Sequence, residues 1–407
     1  MSWKKVKLRE VCKSISDGDH QPPPKATSGI PFVTIANIKD NKFDFTNTMF
    51  VSREYYEKLD SKRKAQEGDI LYSVVGSFGI PVYIDNECEF VFQRHIAILR
   101  PNKEKILPEF LYYTMLSRDF YMRADAVALG AAQRTVSLTS LRAMEIELPP
   151  IRIQENIVKA LKPYDQLIEN NKKQIKLLEE VAQRIYKEWF IDLHFPGYEN
   201  VKIADGVPEG WEREKLSDIF DYVRGKSYTS KEIVNTGGVL MINLKNIKAY
   251  GGYNHNAEKR FIGKFKDEQT LNVGDIVMGI TDMTQERRLV GHVAIIPDLD
   301  EKMTFSMDLI KIIPKKVTRG FLYETMLYGG LSKRLSLLAN GVNVLHLKPE
   351  AMMDMKILIP NCSIMKQYDA MFEIYYRRIE ALQKQCDIAR EAHNRLLPKL
   401  MSGEIEV

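Results

Sequence analysis

The sequence of this chain contains two copies of one pattern, separated by about 208 residues. Five segments of the first half recur in the same order in the second half, with apolar residues at matching positions. The pairs are WKKVKLREV with WEREKLSDI, FVTIANIK with MINLKNIK, EGDILYS with VGDIVMG, FQRHIAILRP with FSMDLIKIIP, and FLYYTML with FLYETML. A repeat of this length predicts two domains with the same fold, because each copy is long enough to form its own core.

The polar residues between the shared apolar positions differ between the copies. Residues 93–95 read Gln, Arg, His, whereas the matching residues 306–308 read Ser, Met, Asp. The segment GAAQRTVS (Gly130–Ser137) matches GVNVLHLK (Gly341–Lys348), which keeps the glycine and changes the polar residues. Duplicated active sites would tend to keep the same catalytic residues in both copies. The divergence therefore favours recognition of two different targets over catalysis.

The composition, with 44% hydrophobic and 28% charged residues, is typical of a globular protein. The chain has no run of about 18 apolar residues, and its N-terminal segment MSWKKVKLRE lacks the apolar core of a signal peptide, so we expect a cytoplasmic protein. The four cysteines lie far apart, which disfavours both a zinc site and a disulfide framework. A net charge of +5 permits nucleic acid as a partner but does not establish it.

Each copy ends in a heptad seam, which predicts a long amphipathic helix. The seam positions are 164, 168, 171, 175, 178, 182, 185 and 189 in the first copy, and 368, 372, 375, 379, 382, 386, 389 and 393 in the second. Pro163 is expected to kink the first helix or to mark where its long segment begins, while Pro196 with Gly197, and Pro398 with Gly403, are expected to end the two helices. Asn171 could fix the pairing register or lie at an exposed seam position. Because both helices belong to one chain, we expect an antiparallel pair, in which about 35 residues span roughly 50 Å.

The stretch ISDGDHQPPP (Ile15–Pro24) allows two interpretations. Asp17, Asp19 and His20 could ligate a cation or form an acid–base pair, but ligands of that kind converge from several segments and nothing nearby supplies them. Alternatively, Asp-Gly forms a turn and the three prolines keep the exit extended, so that His20 and Gln21 point outward. We favour the second interpretation.

Motifs of catalysis are missing from the sequence. It contains no Gly-x-Gly-x-x-Gly, no Gly-x-x-x-x-Gly-Lys-Ser/Thr, and no Asn or Asp followed by Pro-Pro-Tyr/Phe, the tetrapeptide with which amino-methyltransferases hold a target base. The segment GSFG (Gly76–Gly79) is better explained as a tight turn than as a nucleotide clamp. We therefore expect no catalytic role within this chain.

Over essentially its whole length, the sequence resembles the DNA-specificity subunits of type I restriction-modification enzymes. The segments that carry the resemblance are DGDHQPPP, PFVTIANI, GDILYSVVGSFG, GAAQRTVSLTSLRAMEIELPPIRIQENIV, WFIDLHFPG, VPEGWEREKLSDIF and LLPKLMSGEIEV. The resemblance implies an α+β chain with two tandem-repeat globular α/β target-recognition domains, separated by a pair of long antiparallel coiled-coil helices. It places the first domain at residues 1–150, the first spacer helix at 151–195, the second domain at 196–361 and the second spacer helix at 362–407.

The resemblance also implies a function and partners. Subunits of this family are not catalytic, and each of their two recognition domains reads one half of a split, asymmetric site in double-stranded DNA. They bind two copies of an adenine methyltransferase subunit, which uses S-adenosylmethionine, and through these the restriction subunits, which use ATP and Mg²⁺. We expect no cofactor and no metal in this chain itself. A helix pair of roughly 50 Å would separate the two half-sites by on the order of 15 base pairs.

The candidate DNA-binding residues are polar side chains on equivalent loops of the two copies. Arginine pairs with guanine, Gln or Asn with adenine, and a carboxylate accepts from cytosine, so the leading base readers are Gln93, Arg94, His95, Gln133, Arg134, Arg287, Arg288, Asp308, Asn343 and His346. The other candidates are His20, Gln21, Ser73, Ser77, Thr135, Arg224, Lys226, Thr281, Gln285 and Lys348. The second copy is about six residues longer in GITDMTQERRLVG (Gly279–Gly291), a loop that could reach further into a groove. The basic stretches SKRK (Ser61–Lys64) and KRFIGKFK (Lys259–Lys266) would contact phosphates.

Three other interpretations compete with this one. An enzyme with fused recognition domains requires a catalytic motif, and we find none. A coiled-coil interaction scaffold without DNA recognition predicts that the loops bind no DNA even with partners present. A fragment of a larger restriction enzyme fits less well, because both repeats are represented in full.

Overall fold

The computed structural model describes residues 3–20, 23–131, 133–255 and 257–407. The chain divides into two compact units, one formed by residues up to 170 together with 385–407, and the other by residues 171–384. Each unit contains one domain and parts of both long helices. No helix among the described residues is both long and apolar enough to cross a membrane.

Each domain is built on a four-stranded antiparallel sheet with the same strand order. In the first domain the order is Cys12–Asp17, Ile96–Pro101, Ile70–Ser73 and Pro81–Tyr83. In the second domain it is Phe220–Arg224, Leu309–Pro314, Ile276–Gly279 and Val293–Ile295. The strands Ile70–Ser73 and Ile276–Gly279 are buried along their whole length, as short apolar runs in a sheet covered on both faces should be. The shared topology confirms the predicted duplication.

Smaller sheets flank each central sheet. A two-stranded antiparallel ribbon joins the start of each domain to the strand that precedes its long helix: Lys4–Lys7 with Glu145–Leu148, and Glu212–Lys215 with Lys356–Ile359. The outer sheets differ in size. The first domain has Met49–Val51, Ile30–Val33 and Val91–Phe92, and the second has Ile233–Val234, Lys259–Phe261, Val239–Ile242, Met303–Phe305 and Thr270–Leu271. The remaining short strands are Ile38–Lys39, Lys42–Phe43, Ile203–Ala204, Val207–Pro208, Thr281–Asp282 and Leu345–His346.

Short helices pack against the sheets of each domain. Their bounds are Leu8–Val11, Arg53–Lys58, Pro108–Leu116, Arg118–Val127 and Leu138–Ala143 in the first domain, and Leu216–Ile219, Arg319–Leu327 and Leu331–Ser336 in the second. Phe110 and Leu111 pack in one core with Leu99 of the sheet. Phe321 and Leu322 occupy the matching places in the other core. The repeated segments FLYYTML and FLYETML therefore recur because both domains bury the same helix face.

The two long helices are Ile151–Tyr186, continued by a π-helical turn over Lys187–Ile191, and Cys362–Met401. Pro163 lies twelve residues inside the first helix and does not mark its start, contrary to one of the two expectations. That helix also ends before Pro196, and Pro398 lies inside the second helix, so neither proline is the stop that the sequence predicted. Gly403 follows the end of the second helix with a φ of 71°, a left-handed conformation that suits glycine at a helix end.

The heptad seams form antiparallel contacts within each unit. In the first unit, Ile157 and Leu161 share a core with Leu397 and Leu400. In the second, Ala182 and Tyr186 share a core with Tyr368, Phe372 and Tyr375. Residue numbers rise along one helix as they fall along the other, as an antiparallel pair requires. Asn171 is buried in the seam, so the alternative that placed it at an exposed position is wrong.

One hydrogen-bonded contact between a domain helix and a long helix has its donor and acceptor exchanged between the two units. In the first, the Tyr113 hydroxyl of the helix Pro108–Leu116 donates to the Asp165 carboxylate of the long helix at 2.6 Å. The residue equivalent to Tyr113 in the second copy is Glu324, whose carboxyl accepts hydrogen bonds from the hydroxyls of Tyr368 and, at 2.5 Å, Tyr375. Burial raises the pKa of Glu324 to about 7, although the two tyrosine hydrogen bonds oppose the rise. The domain helix thus supplies the donor in one unit and the acceptor in the other.

Candidate nucleic-acid interface

Four loop segments of the first domain meet at one end of its central sheet, and we call residues 17–20, 73–77, 93–95 and, in the last segment, 129–131 with 133–136 the first loop cluster. The Arg94 N–H donates to the Asp19 carbonyl at 3.0 Å, and the Val74 N–H donates to the His95 carbonyl at 2.9 Å. The Val136 N–H in turn donates to the Val74 carbonyl at 2.9 Å. The backbone therefore brings together segments that lie more than a hundred residues apart.

The second domain repeats this arrangement in residues 224–226, 280–288, 306–308 and 340–348, the second loop cluster. The Met307 N–H donates to the Lys226 carbonyl at 2.9 Å, and the Ile280 N–H donates to the Asp308 carbonyl at 2.9 Å. The Leu347 N–H donates to the Ile280 carbonyl at 2.8 Å. Each of these three hydrogen bonds has its counterpart in the first loop cluster. The two clusters therefore share one backbone arrangement, which we call the frame, and carry different side chains on it.

A glycine at the same point of each frame allows this close approach. A Cβ on Gly18 would lie 2.1 Å from the Phe92 carbonyl oxygen, and a Cβ on Gly225 would lie 2.0 Å from the Ser306 carbonyl oxygen. No side chain fits at such distances, because the neighbouring atoms are backbone. The shared glycines in DGDH and RGKS are therefore required by the frame and carry no information about the target.

The loop that contains the first candidate residues is held by its own aspartates. His20 is exposed, and its Nε2 lies 2.8 Å from an Asp17 carboxylate oxygen. Asp19 is buried and accepts a hydrogen bond from the Tyr55 hydroxyl, with the Arg63 guanidinium at 3.9 Å. Burial, followed by this contact with Asp19, raises the pKa of Tyr55 to about 12. These contacts favour the interpretation of the stretch as a structured turn.

No group of three His, Cys, Asp or Glu residues suited to a metal ion occurs in the part of the chain that the structure describes.

Gln21, the other outward-pointing candidate of this loop, lies outside the described residues. His20, Gln93 and Arg94 line a cavity of about 380 Å³ whose apolar wall includes Phe32 and Phe50. Two of the leading base readers thus share one concave surface.

The other candidates of the first domain divide into exposed and buried groups. Ser77, Gln133 and Arg134 are exposed, and Thr135 lies half-buried in a bridge with Val75. Ser73 is 0% exposed, and its hydroxyl accepts the Ile80 N–H at 2.9 Å. The prediction that Ser73 offers its side chain at the surface is therefore wrong, because that hydroxyl closes the turn after its strand.

Charge interactions already restrict two side chains of the first loop cluster. The Arg134 guanidinium forms an ion pair with Asp125 and lies 5.6 Å from the centre of the Phe78 ring. Burial, followed by the charge of Arg94, lowers the pKa of His95. At neutral pH the His95 imidazole is therefore uncharged and can donate one hydrogen bond and accept another. Arg94 is exposed at the tip of its turn.

In the second domain Arg224 is not a free cation. Its guanidinium lies 2.8 and 3.1 Å from the two carboxylate oxygens of Glu350, which also accepts from the Tyr222 hydroxyl at 2.7 Å. These hydrogen bonds lower the pKa of Glu350 to about 2. To contact phosphate or guanine, as the sequence predicts, the Arg224 guanidinium would have to exchange Glu350 for that partner. Lys226 is half-buried in the frame itself.

The longer loop of the second cluster is organised around Asp282. Residues 74–80 connect the two strands in the first domain and residues 280–292 do so in the second, so the predicted difference of about six residues is confirmed. The buried Asp282 carboxylate accepts the Thr284 N–H at 2.8 Å and the Leu289 N–H at 2.7 Å. Burial alone would raise the pKa of Asp282, but these hydrogen bonds outweigh it and lower the pKa. The carboxylate therefore remains ionised inside the loop.

The side chains of this loop differ in their availability. The Gln285 amide donates to the Val342 carbonyl at 2.8 Å, which joins the loop to residues 340–348. The exposed Arg288 forms an ion pair with Glu286. Arg287 is half-buried with a φ of 52°, and its Nε makes no hydrogen bond. The loop thus presents one exposed arginine, and its other arginine is partly held in the fold.

The remaining candidates are Thr281, Asp308, Asn343, His346 and Lys348. The Thr281 hydroxyl donates to the Asp308 carboxylate at 3.1 Å and is itself only 6% exposed, so the expectation of a surface contact by Thr281 is wrong. Asn343, His346 and Lys348 are exposed, and the backbone of His346 pairs with that of Thr281. Asp308, half-buried at the centre, is positioned by Thr281 toward the same surface.

The basic stretches contribute fewer free cations than their composition indicates. Lys64 donates to the Glu57 carbonyl at 3.0 Å, and Lys259 donates to the Tyr228 hydroxyl at 2.7 Å. Arg260 forms an ion pair with Glu301.

Exposed apolar side chains of the second loop cluster were missed by the sequence analysis. Met283, Met307 and Val342 are 79%, 53% and 90% exposed. The sequence repeat aligns Met307 with Arg94, and this equivalence could have identified Met307 as a candidate.

A family model described as the type I restriction modification DNA specificity domain matches this chain twice, at residues 1–180 and 208–387. The putative type I restriction enzyme MjaX specificity subunit of Methanocaldococcus jannaschii is 26% identical over 419 residues, covering 100% of this chain and 94% of that protein. The MjaIX specificity subunit of the same organism is 25% identical over 327 residues, covering 75% of this chain and 71% of that protein.

The crystal structure of the type I restriction-modification S subunit from M. genitalium has the same fold, with a TM-score of 0.62 at 13% identity over 98% of this chain and 96% of that one. The duplicated family match covers both domains and most of both long helices. This chain therefore belongs to the type I restriction-modification DNA specificity family, as a non-catalytic DNA-recognition subunit.

Proposed function

We propose that this subunit reads a split, asymmetric DNA site, with one half read by each loop cluster. The observation that carries the proposal is the shared frame: equivalent backbone hydrogen bonds hold different side chains in the two domains. Each base pair presents its own pattern of donors and acceptors in the major groove, so different side chains on one frame select different sequences. The half-sites are therefore expected to be unrelated in sequence.

In the first domain, Arg94 and Gln93 are the principal base readers. Arg94 is exposed at the tip of its turn and can donate two parallel hydrogen bonds to guanine, while the amide of Gln93 suits adenine. Both side chains line the cavity beside His20. Gln133 and Arg134 approach from the opposite segment of the same cluster.

In the second domain, Asp308 and Asn343 are the principal base readers. A carboxylate accepts from the amino group of cytosine, and an asparagine amide suits adenine. His346 lies on the strand that pairs with Thr281, next to Asp308. Lys348 and Arg288 are the exposed cations expected to contact phosphate.

We further propose that two methyltransferase subunits bind this chain, and that restriction subunits join through them. The duplication supports this stoichiometry, because each unit carries one domain together with parts of both long helices. S-adenosylmethionine, ATP and Mg²⁺ would then belong to the partner subunits, and the complex would act on DNA in the cytoplasm. The paired long helices would set the number of base pairs between the half-sites.

Single-molecule sequencing of genomic DNA tests the proposal. Cells that express this chain with its methyltransferase subunit would be compared with cells that lack only this chain. A split adenine-methylated motif that disappears with the chain is the expected result, and it also defines both half-sites. Identical methylation in the two samples, with the methyltransferase expressed and active, would contradict the proposal and favour a scaffold that does not recognise DNA.

A further inference from the structure

We infer that the second loop cluster recognises the 5-methyl group of thymine through an exposed apolar patch formed by Met283, Met307 and Val342. The inference rests on the proposed function, because it requires that this cluster contact bases.

The Met307 side chain projects from the backbone position that is equivalent to Arg94 in the first domain. The Met307 N–H donates to the Lys226 carbonyl at 2.9 Å, just as the Arg94 N–H donates to the Asp19 carbonyl at 3.0 Å. The backbone thus presents a thioether in one domain where it presents a guanidinium in the other. A side chain held at a base-reading position keeps that position when its chemistry changes, so Met307 should meet a base edge that offers apolar surface.

The other two residues of the patch, Met283 and Val342, belong to segments that hydrogen bonds connect to residues 307–308. Met283 lies two residues after Thr281, whose hydroxyl donates to the Asp308 carboxylate at 3.1 Å, and Asp308 follows Met307. Val342 accepts the Gln285 amide at its carbonyl at 2.8 Å, which connects it to the loop containing Met283. Val342 corresponds to Ala131 in the first domain, so two members of the patch replace a charged and a small residue of the first cluster.

The exposure of these three side chains on adjoining loops favours a partner with apolar surface. Met283, Met307 and Val342 are 79%, 53% and 90% exposed on a surface otherwise lined by polar groups such as Asn343 and His346. Single exposed apolar residues are common, whereas several on adjoining loops indicate a contact site. In the major groove only thymine presents a methyl group, so a polar surface with an apolar centre fits a half-site that contains A·T pairs.

Removing one methyl group at a time tests the inference. The complex of this chain with its methyltransferase subunits would be bound to synthetic duplexes of its methylated motif, in which each thymine in turn is replaced by deoxyuridine. The duplexes contain no 5-methylcytosine, so any loss of affinity is assigned to thymine. Burial of one methyl group corresponds to about a fourfold change in affinity. We expect the wild-type complex to bind at least one such duplex about fourfold more weakly, with the affected thymine in one half-site only.

Variants identify the side chains involved. In Met307→Ala, Met283→Ala or Val342→Ala complexes, the affected duplex should bind no more weakly than its thymine parent. Val273→Ala is the matched control. Val273 is also 53% exposed, but it precedes the start of the strand Ile276–Gly279, and the second loop cluster follows the end of that strand.

Three results would overturn the inference. One is equal affinity for thymine and deoxyuridine duplexes at every position while specific binding persists, and another is a half-site for this domain built only of G·C pairs. The third is a loss of methyltransferase assembly in the Met307→Ala chain without DNA, which would assign the patch to a protein partner. Absence of any sequence-specific binding would instead refute the proposed function, and the inference with it.

Discussion

The Asp282 carboxylate accepts the Leu289 N–H at 2.7 Å and so closes the loop by which the second domain differs most from the first. It also accepts the N–H and, at 2.9 Å, the hydroxyl of Thr284. One buried ionised group therefore satisfies donors at both ends of the loop and determines where Gln285 and Arg288 emerge.

Replacing Asp282 with alanine should disorder this loop and abolish reading of the second half-site. Each buried N–H left without an acceptor costs roughly 1–3 kcal/mol. The Asp282→Asn variant should lose less free energy of unfolding than Asp282→Ala, because the asparagine amide keeps one acceptor oxygen. Because the pKa of Asp282 is below its ordinary value, its stabilising contribution is present above that ordinary value and is lost as the pH falls through the folded-state pKa. Faster hydrogen exchange at the Leu289 and Val290 amides of Asp282→Ala is the measurement. Unchanged exchange would show that the loop does not depend on this carboxylate.

Arg94→Ala should relax or abolish recognition of one half-site while the other stays intact. A bidentate arginine–guanine pair contributes about 1–3 kcal/mol of discrimination, and the equivalent position of the second loop cluster holds Met307, which cannot form such a pair. Sequencing of methylated DNA from cells that carry the variant measures both halves at once. Arg9→Ala is the control. Arg9 is an exposed arginine that precedes the start of the strand Cys12–Asp17, whereas the first loop cluster lies at the end of that strand. Equal weakening of both half-sites would contradict the modular interpretation.

The Glu324 carboxyl should make the stability of the chain depend on pH. Its pKa is raised from 4.5 to about 7, so the folded chain keeps this proton where the unfolded chain loses it. The corresponding stability is fully present below about pH 4.5, and it is lost as the pH rises through 7. Glu324→Gln lacks this titration, so the free energy of unfolding of the wild type should fall by roughly 2.5 kcal/mol relative to Glu324→Gln between pH 5 and 8.

Urea unfolding of the full chain at pH 5, 6, 7 and 8 measures this difference. Glu391→Gln is a suitable control, because Glu391 is exposed on the long helix Cys362–Met401, which also carries Tyr368 and Tyr375, and this variant should follow the wild type at every pH. Parallel pH profiles for wild type and Glu324→Gln would show that the carboxyl does not titrate in this range.

Insertion of one heptad into each long helix should lengthen the spacer. Seven residues add about 10 Å, or about three base pairs, while they keep the seam in register. Insertion near Asn171 and near Cys386 places the new turns where the two helices already contact each other. The methylated motif should gain about three base pairs between its half-sites. A three-residue insertion breaks the heptad and should abolish assembly, whereas unchanged spacing in an active heptad variant would refute the spacer role.

Patterns that repeat along the chain were sufficient to predict the architecture. The five matched segments predicted one fold twice, and the two central sheets have the same strand order. The seam positions from Tyr368 to His393 predicted the buried face of the second long helix, because a heptad repeat depends only on neighbours along one helix. The equivalence of residues 93–95 and 306–308 was likewise visible in the sequence, and the backbone hydrogen bonds confirm it.

The availability of each polar side chain was decided only by the tertiary structure. Arg224 is held by Glu350, 126 residues away. Ser73 and Thr281 are buried, and their hydroxyls form hydrogen bonds with the Ile80 N–H and the Asp308 carboxylate. Met307, which polarity alone would exclude, lies exposed beside Asp308. Periodicity records which face of an element is buried, but the partner of a charge depends on which distant loop the fold places beside it.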